Sequence, residues 1–139
     1  MYKIILVTGG SSGIGKAIGE YLVDKGYTVY GTSRDISKHP ESKFRLLTLD
    51  VTNNDQINSC INQIINLEGR IDVLINNAGV GITGPLEETP EEEIHKHFKT
   101  NLYGPINMIK AVLPFMRKER NGLIINITSI AGYVGSPFR

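Results

Sequence analysis

The densest run of residues suited to chemistry is Thr8-Gly9-Gly10-Ser11-Ser12-Gly13-Ile14-Gly15, which follows a short branched apolar stretch and precedes a helical one. Glycines at Gly9, Gly13 and Gly15 permit positive backbone dihedrals and a close approach of the chain to a ligand. Amides at the N-terminus of the following helix can then face an anion, where unpaired N–H groups and the helix dipole both favour negative charge. A pyrophosphate suits that place; the alternative is a tight strand-to-helix turn with no ligand. The order is Gly-x-x-x-Gly-x-Gly rather than the shorter Gly-x-Gly-x-x-Gly dinucleotide fingerprint. A second candidate group is Ser33-Arg34-Asp35. After the second strand of a dinucleotide fold an acidic side chain bonds the ribose hydroxyls and repels a phosphate, whereas an arginine favours one. Arg34 and Asp35 pull in opposite directions, and both stay open as the residue that meets the ribose.

Other reactive residue types carry less. His95 and His97 are two apart on a predicted helix and do not share a face, which reads as solvated histidines rather than a metal site. Glu87-Glu88 and Glu91-Glu92-Glu93 read as a charged helix start. Asn126-Ile127-Thr128 has the form of a glycosylation sequon, but it falls in a predicted buried strand.

The elements that must position these groups follow from apolar spacing. Lys3 to Thr8, Tyr27 to Thr32, Phe44 to Leu49, Ile71 to Ile75 and Leu123 to Thr128 read as five strands. Between them Ile14, Ala17, Ile18, Tyr21 and Leu22 repeat at helical spacing, with Lys25-Gly26 as the stop. Ile57, Cys60, Ile61, Ile64 and Ile65 do the same, which puts Cys60 on a buried stripe. A third helical stretch opens at Thr89-Pro90-Glu91-Glu92, with Thr89 as cap, Pro90 in the first turn and Glu92 returning a bond to the cap. It continues past Asn101 to about Lys118, with Pro105 and Pro114 as bends or boundaries. Short apolar strands alternating with amphipathic helices imply right-handed crossovers, and hence an α/β, Rossmann-like doubly wound parallel sheet.

Composition narrows the function classes. A chain of 139 residues with 40% hydrophobic content fits one domain with a real core. A formal net charge of +1, with both signs interspersed, offers no field for nucleic acid or an anionic membrane, so a small-molecule partner is expected. The apolar run after Met1 is too short for a signal peptide or a span, which predicts a cytoplasmic protein. A single cysteine, Cys60, leaves no intramolecular disulfide or thiolate cluster to build.

Thr8 to Gly15 resembles the nucleotide-binding motif of the short-chain dehydrogenase/reductase family, and Asn76-Asn77-Ala78-Gly79 is similar to its second signature. Asn101, and Ser129 within Asn126-Ile127-Thr128-Ser129, match two further family positions in order, so the resemblance spans the whole chain. It implies pyrophosphate on the backbone from Ser11 to Ile14, adenine beside Asp50 and the Val51 amide, and the nicotinamide ribose beside Ala78 and Gly79. Asn76 and Asn77 stay evenly divided between binding and satisfying nearby backbone. The family's discriminating acid falls nearest the neutral Ser33, and Arg34 matches the basic residue of many NADP users. The resemblance therefore favours NADP, with NAD possible.

Hydride transfer to a carbonyl builds charge on oxygen, which calls for a proton donor and hydrogen-bond donors aimed at that atom. In the family a tyrosine gives the proton, a lysine four residues on supports it, a serine orients the carbonyl and an asparagine supports a proton relay. Ser129 and Asn101 match the last two. The family tyrosine follows the serine by about a dozen residues, which places it past Arg139. Tyr133 is too close to Ser129 and has Pro137 four positions on, so it is rejected as the acid. The expectation is an oxidoreductase domain over 1–139, incomplete at its C-terminus, without ordinary turnover by itself. The exposed fifth strand and the apolar face between Asn101 and Lys118 predict a homo-oligomer. The competing readings are a non-catalytic dinucleotide-binding or regulatory protein, and a chain that folds without binding.

Overall fold

The computed structural model describes residues 3–135 as one five-stranded sheet with helices on both faces. The strands are β1 (Ile4–Val7), β2 (Thr28–Ser33), β3 (Arg45–Thr48), β4 (Val73–Asn76) and β5 (Leu123–Asn126). All pair in parallel, in the order β3-β2-β1-β4-β5. The chain therefore leaves the β3 edge and crosses over β2 and β1 to reach β4. That reversal is the switch point at which open α/β sheets form a crevice beyond the carboxyl ends of their strands.

Strand alternation divides the core. Ile4 and Leu6 face one layer and Ile5 and Val7 the other, all nearly or fully buried, as expected for a strand covered on both sides. The first layer packs against α2 (Asn54–Glu68) through Ile57, Cys60, Ile61 and Ile64. It also packs against α4 (Gly104–Lys118) through Met108, Val112 and Met116. The second layer takes Phe44 with Ile18, Leu22 and Val23 of α1 (Gly13–Asp24). α1 is turned from the face that its apolar spacing predicts: Ile14 and Tyr21 are exposed, while Gly15 and Gly19 are buried. The phenyl ring of Phe44 fills the space a side chain on Gly19 or Gly31 would need, so helix and strand approach closely there.

Below the sheet, buried Asp72 accepts from the Ile4 N–H at 2.7 Å and from Asn121 Nδ2 at 3.3 Å, with Arg70 Nε at 3.2 Å. It ties β1, β4 and the turn before β5 together. α2 has an explicit start and stop. Asn53 Oδ1 accepts from the N–H groups of Asp55 and Gln56, and Gly69 closes the helix in the left-handed region at φ 78°.

The predicted cap of the third helical stretch is overturned. α3 runs Glu91–Phe98 with Pro90 at its N-cap, and the Thr89 hydroxyl donates back to the Pro85 carbonyl at 3.0 Å. The 3₁₀ turn Leu86–Glu88 leaves Thr89 within reach of Pro85, and that bond takes its side chain away from the helix. A π turn, Lys99–Tyr103, separates α3 from α4. Pro105 stands in the first turn of α4, while Pro114 stays inside it. β5 is the edge strand, so Asn126 is exposed, against the buried placement expected of the sequon. No described helix is long and apolar enough to cross a membrane.

Candidate functional site

The glycine turn forms where β1 ends. Thr8 donates its N–H to the Ile75 carbonyl at 3.0 Å, and its own hydroxyl oxygen accepts from the N–H groups of Asn77 and Ala78 at 2.9 and 3.0 Å. Asn77 Nδ2 donates to the carbonyls of Thr8 and Gly9, and the Gly9 N–H donates to Thr32 Oγ1 at 3.1 Å. The turn is thus fastened on both flanks. Gly13 takes φ +51°, and a Cβ there would meet nothing in the protein within 4 Å, so the backbone is bare toward the cleft. Gly15 is the opposite case, since a Cβ on it would strike Asn77 Nδ2 and the Gly9 carbonyl. Ser12, the N-cap of α1, makes no side-chain cap, and no acidic residue stands in the first turn. The positive end of the helix opens without neutralisation, which is the arrangement an anion fits.

This turn floors a cleft of about 1200 Å³. Gly9, Ser11, Ser12, Gly13 and Ile14 lie along it, Ser33 and Arg34 stand beside Lys38 and His39, and Asp50 and Val51 form another part of the wall. Asn77, Ala78 and Gly79 continue into Val80, Gly81 and Ile82. Gly15, Asn101 and Ser129 do not line it: Gly15 packs behind the turn, and the other two act from outside or stand apart. Asp50 Oδ1 accepts from the N–H and hydroxyl of Thr52, while the Asp50 N–H donates to Gln56 Oε1 at 2.8 Å. Those bonds fix the Asp50-Val51 bend.

The structure separates the two ribose candidates. The Asp35 carboxylate accepts from the Ser37 N–H and hydroxyl and pairs with Lys38 Nζ at 3.2 Å. The Ser37 hydroxyl, and then Lys38, hold its carboxyl below the usual carboxylate range. Arg34 is exposed on the cleft.

Asn101 sits at the centre of the π turn and grips one backbone unit from both sides. Its Oδ1 accepts from the Val80 N–H at 2.9 Å and its Nδ2 donates to the Val80 carbonyl at 2.7 Å. A π turn inside a helical run commonly marks a functional position. Ser129 lies three residues past β5, exposed, with its Oγ accepting from the Ala131 N–H at 3.1 Å. The hydroxyl hydrogen remains available to a further acceptor. Asn76 is buried, and its Nδ2 donates to Asn126 Oδ1 across β4 and β5 at 2.9 Å. Within the protein both asparagines bond to scaffold, and only Asn77 also lines the cleft.

The sequence profile of the short chain dehydrogenase family matches residues 3–139. The chain belongs to the short chain dehydrogenase family. A curated family member, the 3-ketodihydrosphingosine reductase of Bacteroides thetaiotaomicron, is 52% identical over 137 residues, covering 99% of this chain and 51% of its own length. A 3-oxoacyl-[acyl-carrier-protein] reductase FabG of Haemophilus influenzae is 41% identical over 97% of this chain and 58% of its own. Among solved structures, ElxO with NADP bound superposes with a TM-score of 0.91 at 38% identity, covering 99% of this chain and 60% of that one. The chain spans about half the length of the curated relatives it matches.

Two supports of this short chain dehydrogenase site, Thr8 and Thr32, escape a reading based on ligand contact. Their signal was present, because a threonine closing an apolar strand against glycines is a buried polar group that needs partners, and both are about 1% exposed. His97 is a second omission, since it is half-buried and bonded rather than solvated. Tyr21 and Lys25 have the family's Tyr-x-x-x-Lys spacing, yet they stand in the last turn and at the C-cap of α1 with Lys25 Nζ over the Tyr21 ring, and neither lines the cleft.

Proposed function

We propose that this chain is the NADP-binding part of an oxidoreductase that moves hydride between nicotinamide and a carbonyl or alcohol substrate. The observation that carries the reading is the uncapped start of α1 behind Gly13, open to a cleft at the sheet's switch point. The backbone from Ser11 to Ile14 holds the pyrophosphate, Asp50 and Val51 meet the adenine, and Ala78 and Gly79 meet the nicotinamide ribose. NADP, when bound, supplies or accepts the hydride. The preference over NAD rests on Arg34, exposed toward the cleft, and on Asp35, whose carboxylate is committed to Ser37 and Lys38. Ser129 has a hydroxyl hydrogen to offer a carbonyl oxygen, and Asn101 braces the wall at Val80. The names of the two curated relatives, both reductases of oxo or keto compounds, support the same chemistry.

Fluorescence titration with NADPH and NADH tests the reading. NADPH binds at least about tenfold more tightly than NADH, Arg34→Ala removes most of that difference, and Gly13→Val abolishes binding while the chain stays folded. Equal affinity for the two cofactors overturns the NADP assignment. Absence of binding to either overturns the dinucleotide site itself. Among the described residues no tyrosine lines the cleft, so the 139-residue chain binds cofactor without sustained oxidation of NADPH by a carbonyl compound.

A further inference from the structure

The Asn101 grip on Val80 leaves the carboxamide one orientation. Its oxygen must face the Val80 N–H and its nitrogen the Val80 carbonyl. The remaining Asn101 N–H points at His97 Nε2, 2.8 Å away and one helical turn earlier. That contact is a hydrogen bond only if Nε2 carries a lone pair, so the imidazole is neutral with its proton on Nδ1. A proton on Nε2 would set two donors face to face. Flipping the carboxamide to relieve the conflict would turn its nitrogen on the Val80 N–H and its oxygen on the Val80 carbonyl, losing both bonds. The neutral imidazole with Nε2 bare is therefore the form that completes the bonding of the carboxamide.

His97 is also well placed to report on the site. It lines the main cleft and a smaller adjoining pocket of about 450 Å³, and Ile82 is the other residue common to the two. The charged groups around it are Glu93, Lys96 and Lys99 along the cleft and Glu87 across the smaller pocket. Lys96 is engaged by Glu93 and Glu92, and His95 by Glu91.

We propose that neutral His97 is the positioning residue that fixes Asn101 on Val80 and so steadies the Gly79–Ile82 wall of the cleft. This rests on the dinucleotide reading for its consequence in function, but its geometry belongs to the chain alone.

Two NMR measurements on the whole chain decide it. At about pH 8 the ¹⁵N shifts of His97 report Nδ1 protonated and Nε2 bare. Hydrogen exchange at the Val80 amide loses about tenfold in protection in His97→Ala, which leaves the Asn101 carboxamide without its third partner. In His97→Gln, whose carboxamide oxygen accepts from Asn101 in place of the imidazole, that protection is kept. An Nε2-protonated tautomer at about pH 8, or Val80 protection in His97→Ala equal to that of the wild type, overturns the proposal. NADPH titration of the same samples keeps the two readings apart, because failure to bind cofactor defeats the proposed function while leaving the His97 result to stand or fall alone.

Discussion

At Gly15 the backbone of α1 presses against the Gly9 carbonyl and Asn77 Nδ2, so the site's geometry depends on a hydrogen atom where any other residue has carbon. Gly15→Ala forces the turn and α1 apart, because a backbone carbonyl is among the atoms that must yield. We expect it to lower stability by about 1–3 kcal/mol, read from the midpoint of urea unfolding at unchanged slope. Unfolding at the wild-type midpoint would show that the turn can open there freely. Gly13→Val, by contrast, meets nothing in the protein, and its cost to the fold is the left-handed φ. The two glycines look alike in the sequence and differ in what surrounds them. Asp35 teaches the same lesson: its place twenty residues past Gly15 fits a ribose ligand, yet its carboxylate is bound within its own turn.

Helix boundaries are set by a residue's own cap bonds in one place and by a competing partner in another. Asn53 and Gly69 delimit α2 by local rules. Asn53→Ala removes the acceptor for two first-turn N–H groups and should cost about 1 kcal/mol by thermal or denaturant unfolding. No change would mean that water satisfies those amides equally well. Thr89 also has the composition of a cap, but Pro85, brought within reach by a 3₁₀ turn, takes its hydroxyl. The π turn at Asn101 has no periodic signature, since it is one irregular turn between two regular helices. Val51 explains part of it: the Cβ missing from Gly104 leaves the space that Val51 fills, drawing the start of α4 onto the Asp50-Val51 bend.

Two buried titrating groups set how the whole chain responds to alkali. Burial pushes the Cys60 thiol up to about 12. Burial, and then the Glu68 carboxylate 2.5 Å from its hydroxyl, push Tyr30 up to about 12. Both folded-state values lie above the ordinary ones, so the fold favours the neutral forms. Their contribution is full below about pH 9 and is lost as pH rises toward 12, which predicts a falling unfolding midpoint over that window. A flat profile for Cys60→Ala together with Tyr30→Phe, against a falling one in wild type, checks the assignment. Along the β5 edge, Leu123, Ile125 and Ile127 are 38–50% exposed beside unpaired backbone. Light scattering of the 139-residue chain should show association that grows with concentration, and a clean monomer at high concentration would rule it out.

The order of strands and helices, the buried stripe through Cys60 and the glycine turn between β1 and α1 were fixed by local patterns. Apolar periods of two and three to four, and glycines between a strand and a helix, leave few other foldings. The rotation of α1, the pinning of Asp35, the supports from Thr8 and Thr32 and the link from His97 to Val80 were decided only in three dimensions. Each depends on partners brought together by the sheet or by a turn. Whether such a hydrogen bond forms is settled by packing to a fraction of an ångström, which residue spacing along a chain does not specify.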